Sequence, residues 1–318
     1  MREEIDLFGG PDLVFGCRHL PAEPSGAGVL VCLGPPSDGP VDDGRAARLG
    51  RRLAAAGVAV QRFQYRGAWP SDGDPRDVGF DDLVGDAARA LDLLRDRVEV
   101  RRVAFVGARL GALVAARVAR AEPGAPVALW APVPDPRAAH EQAARTRVAR
   151  GATTIPTADT ASGAAATVTP NGAGGPWPGA AAEAGFGGDP TLGTLPGPSA
   201  VADDDAPVDL FHTPLAAELA EGTAVRSLAD ELGRGPRPLL VAVATSGVRE
   251  TIVAGCRARG MVVDVVAHTY DDERDGRPIP GAPADGLVDE TARWLVSRLG
   301  QDAGDHAPAR AVRPEAGQ

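Results

Sequence analysis

The apolar positions of the chain fall into short runs separated by stretches of helical period. Residues 11–21 alternate apolar and polar side chains over a few positions, which suggests a strand or hairpin near the start. Gly28-Val29-Leu30-Val31-Cys32-Leu33 is a continuous apolar run, the pattern of a strand buried on both faces. A Pro-rich loop over 34–40 follows it. Ala46, Leu49, Leu53 and Ala56 then recur at helical spacing until Gly57. A second strand is expected over 58–63, and a long amphipathic helix through Leu83, Val84, Ala87, Leu91, Leu94 and Val98. A third strand, Val103–Val106, leads through a short turn into an Ala-rich helix from Leu110 to Arg120. Pro126–Trp130 is a further short strand. Strands alternating with helices imply right-handed crossovers and a doubly wound, mostly parallel α/β sheet.

Between about 153 and 207 the pattern stops. The stretch is rich in Gly, Ala, Pro and Thr and ends at Asp203-Asp204-Asp205, and it holds too little apolar surface to offset its ordering entropy. Strands resume at 238–244 and 261–267, with helices at 249–258 and 287–299, the last packing Val288, Ala292, Leu295 and Leu299. The expected organisation is therefore a first part over 1–140, a low-complexity, disordered insertion over 141–207, a second part over 208–299 and a flexible tail over 300–318. The insertion falls where a lid over a ligand would sit, and a modest amphipathic stretch, Val208–Leu228, reads as the remnant of a cap helix.

Composition narrows the class. Of the residues, 44% are hydrophobic but only 4% aromatic, so Ala, Val and Leu must fill the core. Every basic residue is Arg. A net charge of -10 argues against nucleic acid or an anionic membrane as partner, because binding phosphates needs a basic surface. The acidic start lacks an apolar signal region, and no apolar stretch reaches the roughly 20 residues that span a bilayer. Cys17, Cys32 and Cys256 are odd in number and far apart, so neither a disulfide framework nor a zinc site is expected. These features point to a soluble, cytoplasmic protein without cofactor or metal.

The chemistry concentrates on Val106-Gly107-Ala108-Arg109-Leu110-Gly111. A strand, a Gly-x-residue-x-Gly turn and a helix are the context of a nucleophile elbow, in which the central side chain stands at the top of the sheet in front of a helix N-terminus. Ser, Cys or Asp is expected at the centre. Here it is Arg109, whose guanidinium carries five donors and no lone pair with which to attack a carbonyl.

With Arg62–Asp74 (RFQYRGAWPSDGD), Val103–Ala112 (VAFVGARLGA), Leu129–Val133 and Asp285–Leu295, this turn makes the chain resemble the α/β-hydrolase superfamily. Within it the resemblance is to the serine aminopeptidase-like hydrolases, and to the group that includes the exosortase-associated hydrolases. It covers about 1–140 and 207–300 and implies hydrolysis of a carboxylic ester, thioester or amide. It puts the nucleophile at Arg109, and the oxyanion donors at the backbone of Leu110 and in the loop after Leu33, where Gly34 and Ser37 flank the N–H-less Pro35 and Pro36. The acid falls just after Ala244, where Glu250 is the one carboxylate in Thr245–Glu250. The base falls just after Ala267, where His268 comes slightly early and Asp271, Asp272 and Glu273 fill the loop; His306 lies in the tail.

Three readings follow. In the first, the chain is a pseudo-hydrolase whose old active site binds a small anionic or acyl ligand through Arg109, Leu110, Gly34, Ser37 and Trp69, or in which Arg109 is tied by an internal ion pair to Glu250, Asp72 or the 271–273 cluster. In the second, a displaced nucleophile acts: Ser37, Ser71, Cys32 or Ser246, the last paired with His268. In the third, the acidic insertion serves as a protein-interaction segment. Tyr65-Arg66-Gly67 reads as structural, with Arg66 tying down its loop and Gly67 permitting the bend.

Overall fold

The computed structural model describes residues 1–34, 41–135, 225–243, 246–267 and 286–301, together with 137, 215, 218 and 219. All belong to one unit, Met1–Ala149 with Val208–Gln318. The insertion expected over 141–207 and the tail after Gln301 lie outside the described residues.

Eight strands form one sheet. They are β1 (Arg2–Gly9), β2 (Leu13–Leu20), β3 (Ala27–Cys32), β4 (Val58–Phe63), β5 (Arg102–Ala108), β6 (Val127–Trp130), β7 (Pro238–Val243) and β8 (Val262–Ala267). Their spatial order is β1-β2-β4-β3-β5-β6-β7-β8. β2 pairs antiparallel with both β1 and β4, and every other pairing is parallel. The helices are α1 (Val41–Ala55), α2 (Phe80–Arg97), α3 (Gly111–Ala119), α4 (Leu228–Leu232), α5 (Ser246–Arg257) and α6 (Gly286–Gln301).

The sheet separates two apolar layers, as continuous apolar strands require. On one face Val29, Val31 and Trp130 pack with Leu49 and Leu53 of α1 and Leu295 and Leu299 of α6. On the other, Leu30, Phe105 and Leu129 pack with Leu83 of α2, Leu113 of α3, Leu228 of α4 and Ile252 of α5. Trp130 is fully buried and donates its indole N–H to Thr291 Oγ1 at 3.0 Å, which satisfies the one polar atom it carries into the core.

Several boundaries differ from the sequence reading. The start of the chain, to which the sequence pattern assigns no element, is strand β1. Its charges are matched from outside: Arg18 donates to Glu4 and Asp6, and Arg51 to Glu3. Helix α5 begins at Ser246 rather than at 249, so Ser246–Glu250 is helix and not the loop expected after β7. Helix α6 continues to Gln301, beyond the end expected at 299.

Candidate functional site

Strand β5 ends at Ala108 and α3 begins at Gly111, leaving two residues to turn the chain through the sheet edge. Arg109 takes φ +51°, the left-handed region, at a cost of about 1–2 kcal/mol for a residue with a Cβ. Its amide donates to Trp130 O at 2.9 Å and its carbonyl accepts from Ala112 N at 3.1 Å, so the turn is pinned from β6 and from the first turn of α3. The two glycines are sterically required. A Cβ on Gly107 would stand 2.6 Å from Ala112 Cα, and one on Gly111 would overlap the carbonyls of Cys32 and Leu33. This is a tight strand–turn–helix elbow with a half-buried guanidinium at its apex.

The loop leaving β3 runs alongside, because Cys32 pairs with Gly107 in the parallel register. Gly34 is thereby brought to the elbow and is half-buried. Among the described residues no backbone carbonyl accepts from Leu110 N, which leads into α3 and is the first donor expected of an oxyanion hole. Pro35, Pro36 and Ser37 lie outside the described residues.

The substitute nucleophiles fare poorly where they are described. Cys32 is fully buried beside the Tyr65 hydroxyl, and burial pushes its thiol far above the usual range, so the nucleophilic thiolate is suppressed. Ser71 Oγ donates to Gln64 O at 2.7 Å and accepts from Phe15 N at 2.9 Å, the behaviour of a turn residue. Trp69 is 90% exposed, on the loop after β4, which β3 separates from the elbow strand; the structure does not bring it into the site. On the same loop Arg66 has the structural role expected of it, donating Nη2 to the fully buried Asp86 at 2.7 Å while its amide donates to the same carboxylate at 2.9 Å. The bend at Gly67 takes φ +73°.

Residues 42–166 match the family model described as serine aminopeptidase, S33. Solved structures of similar fold include a proline iminopeptidase from Mycobacterium smegmatis, at 14% identity over 95% of this chain and 100% of that one, with a TM-score of 0.54. Others are the esterase Pf2001 of Pyrococcus furiosus (13% identity, 96% and 91% of the two chains, TM-score 0.54) and the ferulic acid-bound Est1E of Butyrivibrio proteoclasticus (12%, 91% and 96%, TM-score 0.52). No curated protein matches the chain. The chain is an α/β-hydrolase-fold protein.

In the α/β-hydrolase fold the ends of β7 and β8 flank the elbow on the side of β6, and it is there that the resemblance asks for an acid and a base. Glu250 is exposed on α5, a full turn into a helix, and so is not presented from a strand-end loop. Ser246 is the first residue of that helix. His268, His306, Ala244, Thr245 and the 271–273 cluster lie outside the described residues. Among the described residues the one histidine is His19, on β2, separated from β5 by β4 and β3. Asp72, offered as an ion-pair partner of Arg109, instead accepts from Leu13 N through its carboxylate at 3.3 Å. No group of three His, Cys, Asp or Glu among the described residues is placed to hold a metal ion, and no helix is long and apolar enough to cross a membrane.

Sequence reasoning missed the carboxylate that fixes the elbow helix. Glu231 of α4 is fully buried and accepts from Arg117 of α3, with Nη2 to Oε1 at 2.8 Å, and from Arg226 N at 2.9 Å. Burial works to raise the Glu231 pKa, but the hydrogen bonds from Arg117 and Arg226 N outweigh it and hold the carboxyl below its ordinary value. The signal was weak, since 114 residues separate the two partners. From the same side of the chain Glu218 accepts from Phe80 N at 2.7 Å, capping α2.

Proposed function

We propose that this chain is a hydrolase-fold binding protein that does not cleave esters or amides, and that Arg109 holds the acidic group of a small ligand at the old nucleophile position. The observation that carries the reading is the elbow itself, whose left-handed apex and two obligatory glycines are kept while the apex side chain is one that cannot attack. A turn needed only for folding is served better by Gly, which takes φ > 0 without penalty. An arginine there, half-buried where α3 begins, puts a permanent positive charge beside the positive end of a helix dipole, a setting that favours a carboxylate or phosphate.

The test is a thermal-shift and calorimetric titration of the full chain with small carboxylates, acyl phosphates and inorganic phosphate. At least one class is expected to bind, and Arg109→Ala to weaken it at least tenfold while the fold persists. Equal binding by the intact chain and Arg109→Ala contradicts the role of Arg109. Binding that is unchanged in Arg109→Ala but lost in Ser246→Ala, together with ester turnover, favours the displaced-nucleophile reading instead.

A further inference from the structure

Far from the elbow, the N-terminal hairpin is fastened by a histidine that no catalytic reading uses. We propose that neutral His19 is a latch holding the hairpin β1–β2 onto β4 and α1, and that its protonation in mild acid lets the hairpin undock as a unit.

The geometry fixes the state of the ring. His19 is fully buried. Arg62 of β4 directs its Nε–H at His19 Nε2, 2.9 Å away. A guanidinium only donates, so Nε2 must present its lone pair and the ring proton sits on Nδ1. That atom faces its cross-strand neighbour Glu3, 3.2 Å from Oε1. Glu3 is already shared, because Arg51 Nε donates to the same oxygen at 2.7 Å. Helix α1 seals the other side at Gly50, where a Cβ would stand 2.6 Å from His19 Nε2. The charged groups around the ring are thus Glu3 from β1, Arg62 from β4 and Arg51 from α1, two cations against one carboxylate.

A proton on Nε2 would set one donor against another and add a third cation to a fully buried ring. Burial first, and then Arg62, push the His19 pKa down from 6.5 to about 4, with Glu3 opposing. Once the hairpin opens, water reaches the ring and it titrates near its ordinary value. The docked form therefore binds fewer protons than the opened form. Docking is strongest above about pH 6.5 and weakens as the pH falls toward about 4, by up to roughly tenfold per pH unit. Strand β2 pairs with β4 over Gly16–His19, and its other end is bonded to the loop after β4, where Gln64 N donates to Phe15 O, Phe15 N to Ser71 Oγ and Leu13 N to Asp72, so those bonds break with the hairpin's opening.

Amide hydrogen exchange of the full chain, corrected for intrinsic chemistry, reads this directly. Between about pH 6.5 and 5, protection over 13–20 is expected to fall close to tenfold per unit while β3, β5 and β7 hold theirs, and His19→Gln is expected to abolish that dependence. Constant hairpin protection across the range, or an unchanged dependence in His19→Gln, overturns the proposal. If His19→Gln does not fold, the imidazole titration of the intact chain by NMR decides: a pKa near 4 supports the latch, and one at or above about 6 overturns it.

Discussion

Arg109 and its two glycines occupy a turn with no room for a side chain at either glycine. Because the Gly111 Cβ position coincides with the carbonyls of Cys32 and Leu33, Gly111→Ala must push β3 away from α3. Backbone cannot yield as a flexible side chain would, and the expected result is a loss of at least about 3 kcal/mol in urea denaturation, or no folded protein. Gly10, with open space at its Cβ position, supplies the control, and Gly10→Ala should leave stability within about 0.5 kcal/mol. This turn was fully legible in the sequence, because spacing alone demands the glycines and exposes the anomaly between them. The surroundings were less so. Trp69 reads as a pocket aromatic by its nearness in sequence to Tyr65 and Arg66, yet the hydrogen bonds that bend its loop turn it out into solvent.

At the scale of elements, α3 is held in place by a charge pair from a part of the chain that returns only after the insertion. Removing Arg117 would leave the buried Glu231 with only the Arg226 amide and the longer Arg120 contact at 3.9 Å, so Arg117→Ala is expected to destabilise by about 3 kcal/mol in chemical denaturation, and Glu231→Ala by less because Arg117 is partly exposed. The Glu231 carboxyl is held below its ordinary 4.5. The pair therefore stabilises in full above about pH 4.5 and is lost as the pH falls through the lower folded value; a shallower acid limb in the Glu231→Gln stability profile would show this. The buried parallel strands were legible as continuous apolar runs. Strand β1 was not, because its exposed Ile5 and Leu7 alternate with charges whose partners, Arg18 and Arg51, come from other elements. The start of α5 was missed because Thr245-Ser246-Gly247 has turn composition, although the helix begins at Ser246.

Taken whole, the molecule has the α/β-hydrolase fold, with Arg109 at the apex of its elbow. Strand order, the two apolar layers and the elbow form a consistent frame. What sequence could not supply was the surroundings of Arg109, since a site assembled from β3, β5 and β6 depends on contacts across about a hundred residues. The central claim, that this frame binds without cleaving, is tested most directly by the turnover of p-nitrophenyl acetate by the intact full-length chain. The account predicts a rate no higher than that of the Arg109→Ala and Ser246→Ala variants and indistinguishable from buffer. Saturable turnover by the intact chain, abolished in Ser246→Ala, would contradict it.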